Sequence, residues 1–151
     1  MRPGEPRERR TRKADTLAMV AAPAVDVWVA TASATGAPYL VPVSLAWVDD
    51  RAVIAIGGSS VTARNLTASG QARLAVGPTR DVVMIDAVLD KSVDVGADEA
   101  LGAAYVAQAD WDPRSSTGYV FFVLRPERVQ AWREANEMEG RTLMSDGTWL
   151  V

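Results

Sequence analysis

The sequence predicts a mainly β domain with flanking helices, built as a small barrel of six to seven antiparallel strands. Three observations predict it. Short apolar segments recur at strand length, some alternating strictly: Val25, Val27 and Val29 stand against Asp26, Trp28 and Ala30. Turn residues separate the segments, as in Thr35-Gly36-Ala37-Pro38, Asp49-Asp50 and Gly77-Pro78-Thr79-Arg80. Helical stretches do not alternate with the strands, which argues against a doubly wound parallel sheet.

Taken in order, residues 11–22 read as a helix with Leu17, Val20 and Ala21 on one face, and Pro23 ends it. Residues 25–33 and 39–48 read as strands, and Asp49-Asp50 turns the second back into the apolar run 52–56. Pro42 has no N–H to give to a ladder, so its strand lies at a sheet edge or carries a bulge. A short helix follows Gly57-Gly58, capped by Ser60 or Thr62. Strands are expected at 71–76 and 81–90, then an alanine-rich helix at 98–108 capped by Asp98 or Asp94. After the loop Asp110-Trp111-Asp112-Pro113-Arg114 comes a strand at 119–124, and Pro126-Glu127 turns into a last strand at 128–133. The tail, 134–151, is polar and anchored by Leu143, Met144, Trp149 and Leu150.

A chain of 151 residues suits one domain with its own core. The charge is uneven. Of 16 basic and 19 acidic residues, six basic and two acidic fall within residues 1–13, so the remainder carries ten against seventeen. The expected organisation is therefore a flexible basic arm at 1–13 and a single barrel domain at 14–151. The acidic body excludes nucleic acid as the main partner. No run approaches the ~20 apolar residues of a membrane span, and the charged start lacks an apolar signal core, so a cytoplasmic protein is expected. There is no cysteine and no histidine. Disulfides, thiolate metal sites, cysteine nucleophiles and the Ser-His-Asp arrangement are thereby excluded, and no metal site is expected. Trp28, Trp47 and Trp111 read as core or interface residues, and Glu134, Glu137 and Glu139 as surface partners of Arg133 and Arg141.

The stretch Gly57-Gly58-Ser59-Ser60-Val61-Thr62-Ala63-Arg64-Asn65-Leu66 has two readings. It is a polar turn that caps a helix, or it is a phosphate-binding helix start. The second uses the free N–H groups of the helix, the hydroxyls and the donor fork of Arg64.

With this strand order, the chain resembles the pyridoxamine 5′-phosphate oxidase-like, FMN-binding split-barrel superfamily. Tyr39-Leu40-Val41-Pro42-Val43 resembles the strand beside the flavin ring, residues 52–65 the strand and phosphate loop, and Arg125 to Trp132 the closing strand. The resemblance implies a split barrel, a homodimer and a cofactor groove between its subunits. Carried over residue by residue, Ser60, Thr62 and Arg64 would surround the phosphate. Val41, Pro42, Val43 and Ser44 would line the ring, and Gly57 and Gly58 would let it approach the main chain. Asn65 would brace the loop, and Trp132 would pack near the ring from the partner. Arg141 and Tyr39 would meet substrate. Ser44 stands where true pyridoxamine phosphate oxidases have a basic residue, Ala63 replaces a second one, and the substrate-motif histidine is missing, so the match to vitamin B6 phosphate oxidation is poor.

The first expectation is an FMN-dependent oxidoreductase moving hydride to or from a small organic substrate, with its catalytic groups unassigned. The second swaps the cofactor for F420, whose acidic tail the basic arm would meet. The third, of a different class, is a non-catalytic flavin-binding or structural dimer.

Overall fold

The computed structural model describes residues 4–151. Nine strands form one antiparallel sheet: β1 (Asp26–Ala32), β2 (Pro38–Ser44), β3 (Ala46–Val48), β4 (Arg51–Gly57), β5 (Gln71–Val76), β6 (Val82–Asp94), β7 (Tyr119–Trp132), β8 (Thr142–Ser145) and β9 (Thr148–Trp149). The α-helices among the described residues are α1 (Arg9–Val20), α2 (Val61–Ser69) and α3 (Glu99–Gln108). The main strand path runs β2-β1-β5-β6-β7-β4-β3, with β8 on β7 and β9 on β8.

That path holds a constraint. β2 and β3 are its two ends, yet only Leu45 separates them in the chain. In a flat sheet the ends of a seven-strand path would lie about 29 Å apart. Two successive peptide links span at most about 7 Å. The sheet must therefore curl until its ends meet. β2 and β3 do not pair with each other, so the result is a split β-barrel rather than a closed one. Leu45 is fully buried at the seam, and its N–H donates to the Val25 carbonyl at 3.0 Å.

Inward positions on alternate residues fill the barrel: Val27 and Val29 from β1, Ile54 and Ile56 from β4, Leu74 and Val76 from β5, Phe122 and Leu124 from β7. Ala63 and Leu66 of α2 join this core. A second core forms behind β4, where Val53, Ala55, Phe121 and Val123 meet Leu101 and Tyr105 of α3. Being covered on both faces explains why β4 reads as an unbroken apolar run instead of alternating.

Several expectations are met. Pro42 lies on edge strand β2, which pairs only with β1. Asp49-Asp50 turns with φ of 50° and 59°, the left-handed pair of a tight hairpin. Asp98 caps α3 by accepting the Leu101 N–H at 3.0 Å. Other expectations need correction. The strand expected at 39–48 is two strands, broken at Leu45 where the chain crosses the seam. Pro126-Glu127 is not a turn. β7 runs straight through it, and the register against β6 shifts between Asp86 and Ala87, so the proline falls at a bulge where no N–H is needed. The polar tail is structured as a 3₁₀ turn (Ala135–Glu137) and the β8–β9 hairpin.

The basic arm also differs from expectation. Met1, Arg2 and Pro3 lie outside the described residues, but the boundary at residue 13 falls inside α1. Arg12 is buried and donates to the Glu137 carbonyl at 2.9 Å, and Arg9 donates to the Gly140 carbonyl. Glu137, expected at the surface, is instead 2% exposed. It accepts from the Arg7 Nε at 3.0 Å and Nη2 at 2.8 Å, and the Arg7 backbone N–H also points at it. These donors hold its carboxyl down at about 2, against an ordinary value of 4.5. The concentrated positive charge of the N-terminal segment is used to clasp α1 to the C-terminal turn.

Because the folded value lies below the unfolded one, the clasp contributes its full stability above pH 4.5 and loses it as pH falls toward 2. Arg7→Ala strands a buried carboxylate and should lower unfolding free energy by about 3 kcal/mol. Urea denaturation at pH 7 measures this, and a loss under about 1 kcal/mol would contradict a buried pair.

Candidate functional site

The seam opens into a cavity of about 350 Å³. β2 supplies one wall. Its period of two points Tyr39, Val41 and Val43 to the same side, with Ser44 at the end of the strand. β4 supplies the facing wall through Ala55, Ile56 and Gly57. Trp111 and Tyr119 enclose one flank, their rings edge to face with centroids 5.7 Å apart. Ser60 and Thr62, at the start of α2, stand at one end.

The α2 start is built by ordinary capping. Ser60 adopts extended backbone and its Oγ accepts the Ala63 N–H at 3.2 Å, while its carbonyl accepts from Arg64. The N–H groups of Val61 and Thr62 have no acceptor within the helix, as helix geometry requires of a first turn. Thr62 is 2% exposed, so its hydroxyl is held against the protein rather than in bulk solvent. Asn65 ties the helix to β1 by donating to Thr31 Oγ1 at 3.1 Å, a buried bond, so it braces the helix from below.

The structure thus brings Tyr39, Val41, Val43, Ser44, Gly57, Ser60 and Thr62 together from the expected set. The others sit elsewhere. Pro42 points to the opposite face of β2, paired in register with Trp28. Gly58 is bare for packing, not for ligand approach: a Cβ there would lie 3.2 Å from Val120 Cγ2 and 3.3 Å from the Gly118 carbonyl. Arg64 is exposed and does not line the cavity. Trp132 ends β7 opposite Val82, away from the cavity of its own chain. Arg141 donates to the Met138 carbonyl at 2.9 Å in the turn before β8. Sequence reasoning missed Trp111 and Tyr119 as cavity walls, because Trp111 sits in a polar loop with no periodicity to orient it.

A wider groove of about 730 Å³ crosses the outer face of β1, β5 and β6. Two of its charged side chains already pair, since Asp86 accepts from Arg73, and Asp86 also accepts from Arg128 at 3.1 Å. The seam cavity is smaller but has apolar walls, aromatic rings and convergent hydroxyls, the make-up of a ligand site. Its chemistry is narrow. The lining has no carboxylate, and its polar side chains are hydroxyls and one indole. Among the described residues no cluster of acidic side chains is arranged to hold a metal ion.

A curled antiparallel sheet split between adjacent β2 and β3 defines a split-barrel protein. The sequence profile of the family described as pyridoxamine 5′-phosphate oxidase matches residues 21–133. The chain belongs to this pyridoxamine 5′-phosphate oxidase-like family of split barrels. No curated protein sequence matches it. Solved structures share the fold. One titled F420 reductase has a TM-score of 0.59 at 18% identity, over 74% of this chain and 93% of that one. A heme binding protein from Mycobacterium smegmatis gives 0.65 at 20%, over 97% and 60%. General stress protein 26 from Bacillus anthracis gives 0.63 at 12%, over 82% and 94%.

The two glycines should separate on substitution. At Gly57 an added Cβ meets nothing within 4 Å, so Gly57→Ala should leave thermal stability unchanged while narrowing the cavity. Gly58→Ala presses on a backbone carbonyl and should cost about 1 kcal/mol. Melting curves of both variants test the distinction, and equal losses would refute it.

Proposed function

We propose that this chain is a flavin-dependent oxidoreductase that holds FMN in the seam cavity. The observation carrying this reading is the buried Thr62 beside the free N–H groups of α2, at one end of an apolar, aromatic-flanked cavity. A helix start concentrates partial positive charge and unpaired donors, the complement of a phosphate. Val41, Val43 and Gly57 offer a smooth surface of the kind a planar ring packs on. Arg64, exposed two residues beyond Thr62 and outside the cavity lining, would add only a long-range attraction for the phosphate. The flavin supplies the hydride chemistry itself when bound. The chain's residues bind, orient and shield it, and Tyr39, Ser44 and Tyr119 are the hydroxyls near enough to hand on a proton. The substrate is a small organic molecule entering from the open side.

F420 is the weaker choice. Its acidic tail calls for free cations, and of the N-terminal ones Arg7, Arg9, Arg12 and Lys13 are committed, which leaves Arg10 as the exposed one among residues 4–13. Arg7 and Arg12 bind Glu137 and its carbonyl, Arg9 binds a backbone carbonyl, and Lys13 binds the terminal Val151 oxygen at 2.8 Å. Heme fits less well again, since the sequence has neither histidine nor cysteine, the commonest protein ligands of its iron.

The cofactor groove is completed by a second copy of the chain. Trp28, 49% exposed, and Leu40, 58% exposed, flank Pro42 on the outer face of β1 and β2, an apolar patch that a monomer leaves in water. In the dimer, Trp132 of the partner subunit approaches the ring.

FMN titration followed by fluorescence tests the reading. Thr62→Val keeps the shape and removes the hydroxyl, and should weaken FMN by about 1.5–3 kcal/mol. Arg64→Ala, exposed, should cost less than about 1 kcal/mol. Wild-type protein that does not bind FMN would overturn the proposal.

The dimer is tested separately by sedimentation. The wild type should run as a dimer at micromolar concentration and the Trp28→Glu, Leu40→Lys variant as a monomer. A monomeric wild type would remove the shared groove.

A further inference from the structure

Tyr105 of α3 is completely buried, packed against Phe121 (centroids 5.1 Å apart) and edge to face with Trp111 at 6.5 Å. Its hydroxyl has no hydrogen-bond partner. Buried hydroxyls are nearly always paired, and phenylalanine would fill the same space without stranding a polar atom. Trp111, whose ring meets the tyrosine edge to face, and Ser44 are the polar side chains that act on the hydroxyl. Both are close enough to favour its ionised form against the larger opposing effect of burial, yet neither meets hydrogen-bond geometry in the resting arrangement. Both also line the seam cavity. Tyr105 therefore stands directly behind the cavity wall, unpaired, between two residues that face the ligand space.

The donor inventory sets a direction. An indole N–H only donates, while each hydroxyl donates once and can accept. If the three groups link, Trp111 donates to Tyr105 Oη, Tyr105 donates to Ser44 Oγ, and the Ser44 hydrogen is left facing the cavity. This order pairs the indole and the phenol inside the protein and leaves only the Ser44 hydrogen for the ligand. Such a chain strengthens along its length.

We propose that Tyr105 is a positioning residue for the ligand of the seam cavity, turning Ser44 into a fixed hydrogen-bond donor to an acceptor atom, a carbonyl oxygen or unprotonated ring nitrogen, on the ligand's edge. The inference rests on the flavin reading above and adds to it which polarity the ligand presents at Ser44. Small side-chain rotations complete the chain when the ligand binds. Asp26, opposite Ser44 in register on β1, is the charged group that acts on the tyrosine.

FMN is the probe. Affinity and the visible absorption bands of bound FMN are measured for wild type, Tyr105→Phe, Ser44→Ala, the double variant and Ser44→Thr. Tyr105→Phe should weaken FMN at least about threefold and shift the bands, with melting temperature unchanged or raised. Ser44→Ala should weaken FMN at least as much, and adding Tyr105→Phe to it should change affinity by less than about 1.5-fold, since the link is already cut. Ser44→Thr should restore both affinity and the Tyr105 dependence. Wild-type-like affinity and spectrum in Tyr105→Phe would overturn the inference while leaving the flavin reading intact. So would a loss from Tyr105→Phe that is the same with and without the Ser44→Ala change. A wild type that does not bind FMN overturns both. If Tyr105→Phe melts below the titration temperature, Ser44→Ala against Ser44→Thr decides, and failure of threonine to rescue overturns it.

Discussion

The single-residue crossing at Leu45 is the constraint on which the architecture depends. Strands that end opposite edges of a seven-strand path are consecutive in the chain, so no flat arrangement of the same pairings exists. The curl follows from covalent geometry, and the side chains then have to fill the space it encloses. Val27, Ile54, Leu74 and Leu124 do so from four strands. At the crossing itself the fit is different. β2 and β3 approach without pairing, and the gap between β2 and β4 is the seam cavity. The cavity is a consequence of splitting the barrel at its shortest connection. Ser44, last residue of β2, is placed at the cavity by that break. Pro42 serves the same edge from the other side, since a strand with a missing donor recruits further strands poorly.

Electrostatics closes the opposite side of the molecule. Glu137 sits almost without solvent contact at the junction of the N-terminal segment and the C-terminal turn, and Arg7 supplies two side-chain donors to it in fork geometry. Arg133 adds its backbone N–H at 3.3 Å. A buried ion pair of this kind adds little net stability over an apolar contact, but leaving either charge there without a partner is costly. It therefore fixes which end of the chain meets which. It also withdraws cations from solvent. No side chain of the seam cavity lining carries positive charge, so the partial charge of the α2 start is the cation-like feature at the cavity itself.

Much of this was legible in the sequence. The strand periodicity of 25–33, the tight pair Asp49-Asp50, the cap at Asp98 and the edge position of Pro42 each rest on local chemistry, and each is found where local chemistry puts it. The misreadings share a different cause. Pro126-Glu127 looks like a turn because proline breaks ladders, but a bulge gives a proline the same freedom inside a continuous strand. Glu137 and Arg12 look like surface charges because charged residues usually are, and only their pairing across 125 positions reveals otherwise. The candidate site divides the same way. Val41 and Val43 are placed by the family resemblance, and Thr62 by the helix start as well. Trp111 is not placed, since a loop carries no period. Tyr105 was hidden inside an apolar helix that reads as mere packing.

The polarity of the cavity argues for what it can receive. It offers fixed donors at the α2 start, where the Val61 and Thr62 N–H groups have no helical acceptor. Its hydroxyls, on Tyr39, Ser44, Thr62 and Tyr119, can turn either way. No carboxylate lines it to offer a permanent acceptor. A ligand rich in donors would leave those N–H groups unpaired in a partly dry site, at a cost per group comparable to a lost hydrogen bond. A ligand with a phosphate at one end and carbonyls along a planar edge satisfies them all, and lets the hydroxyls orient to match. The absence of histidine and cysteine from the chain is consistent with such a division of labour, in which the protein contributes donors and shape and a bound group contributes the reactivity.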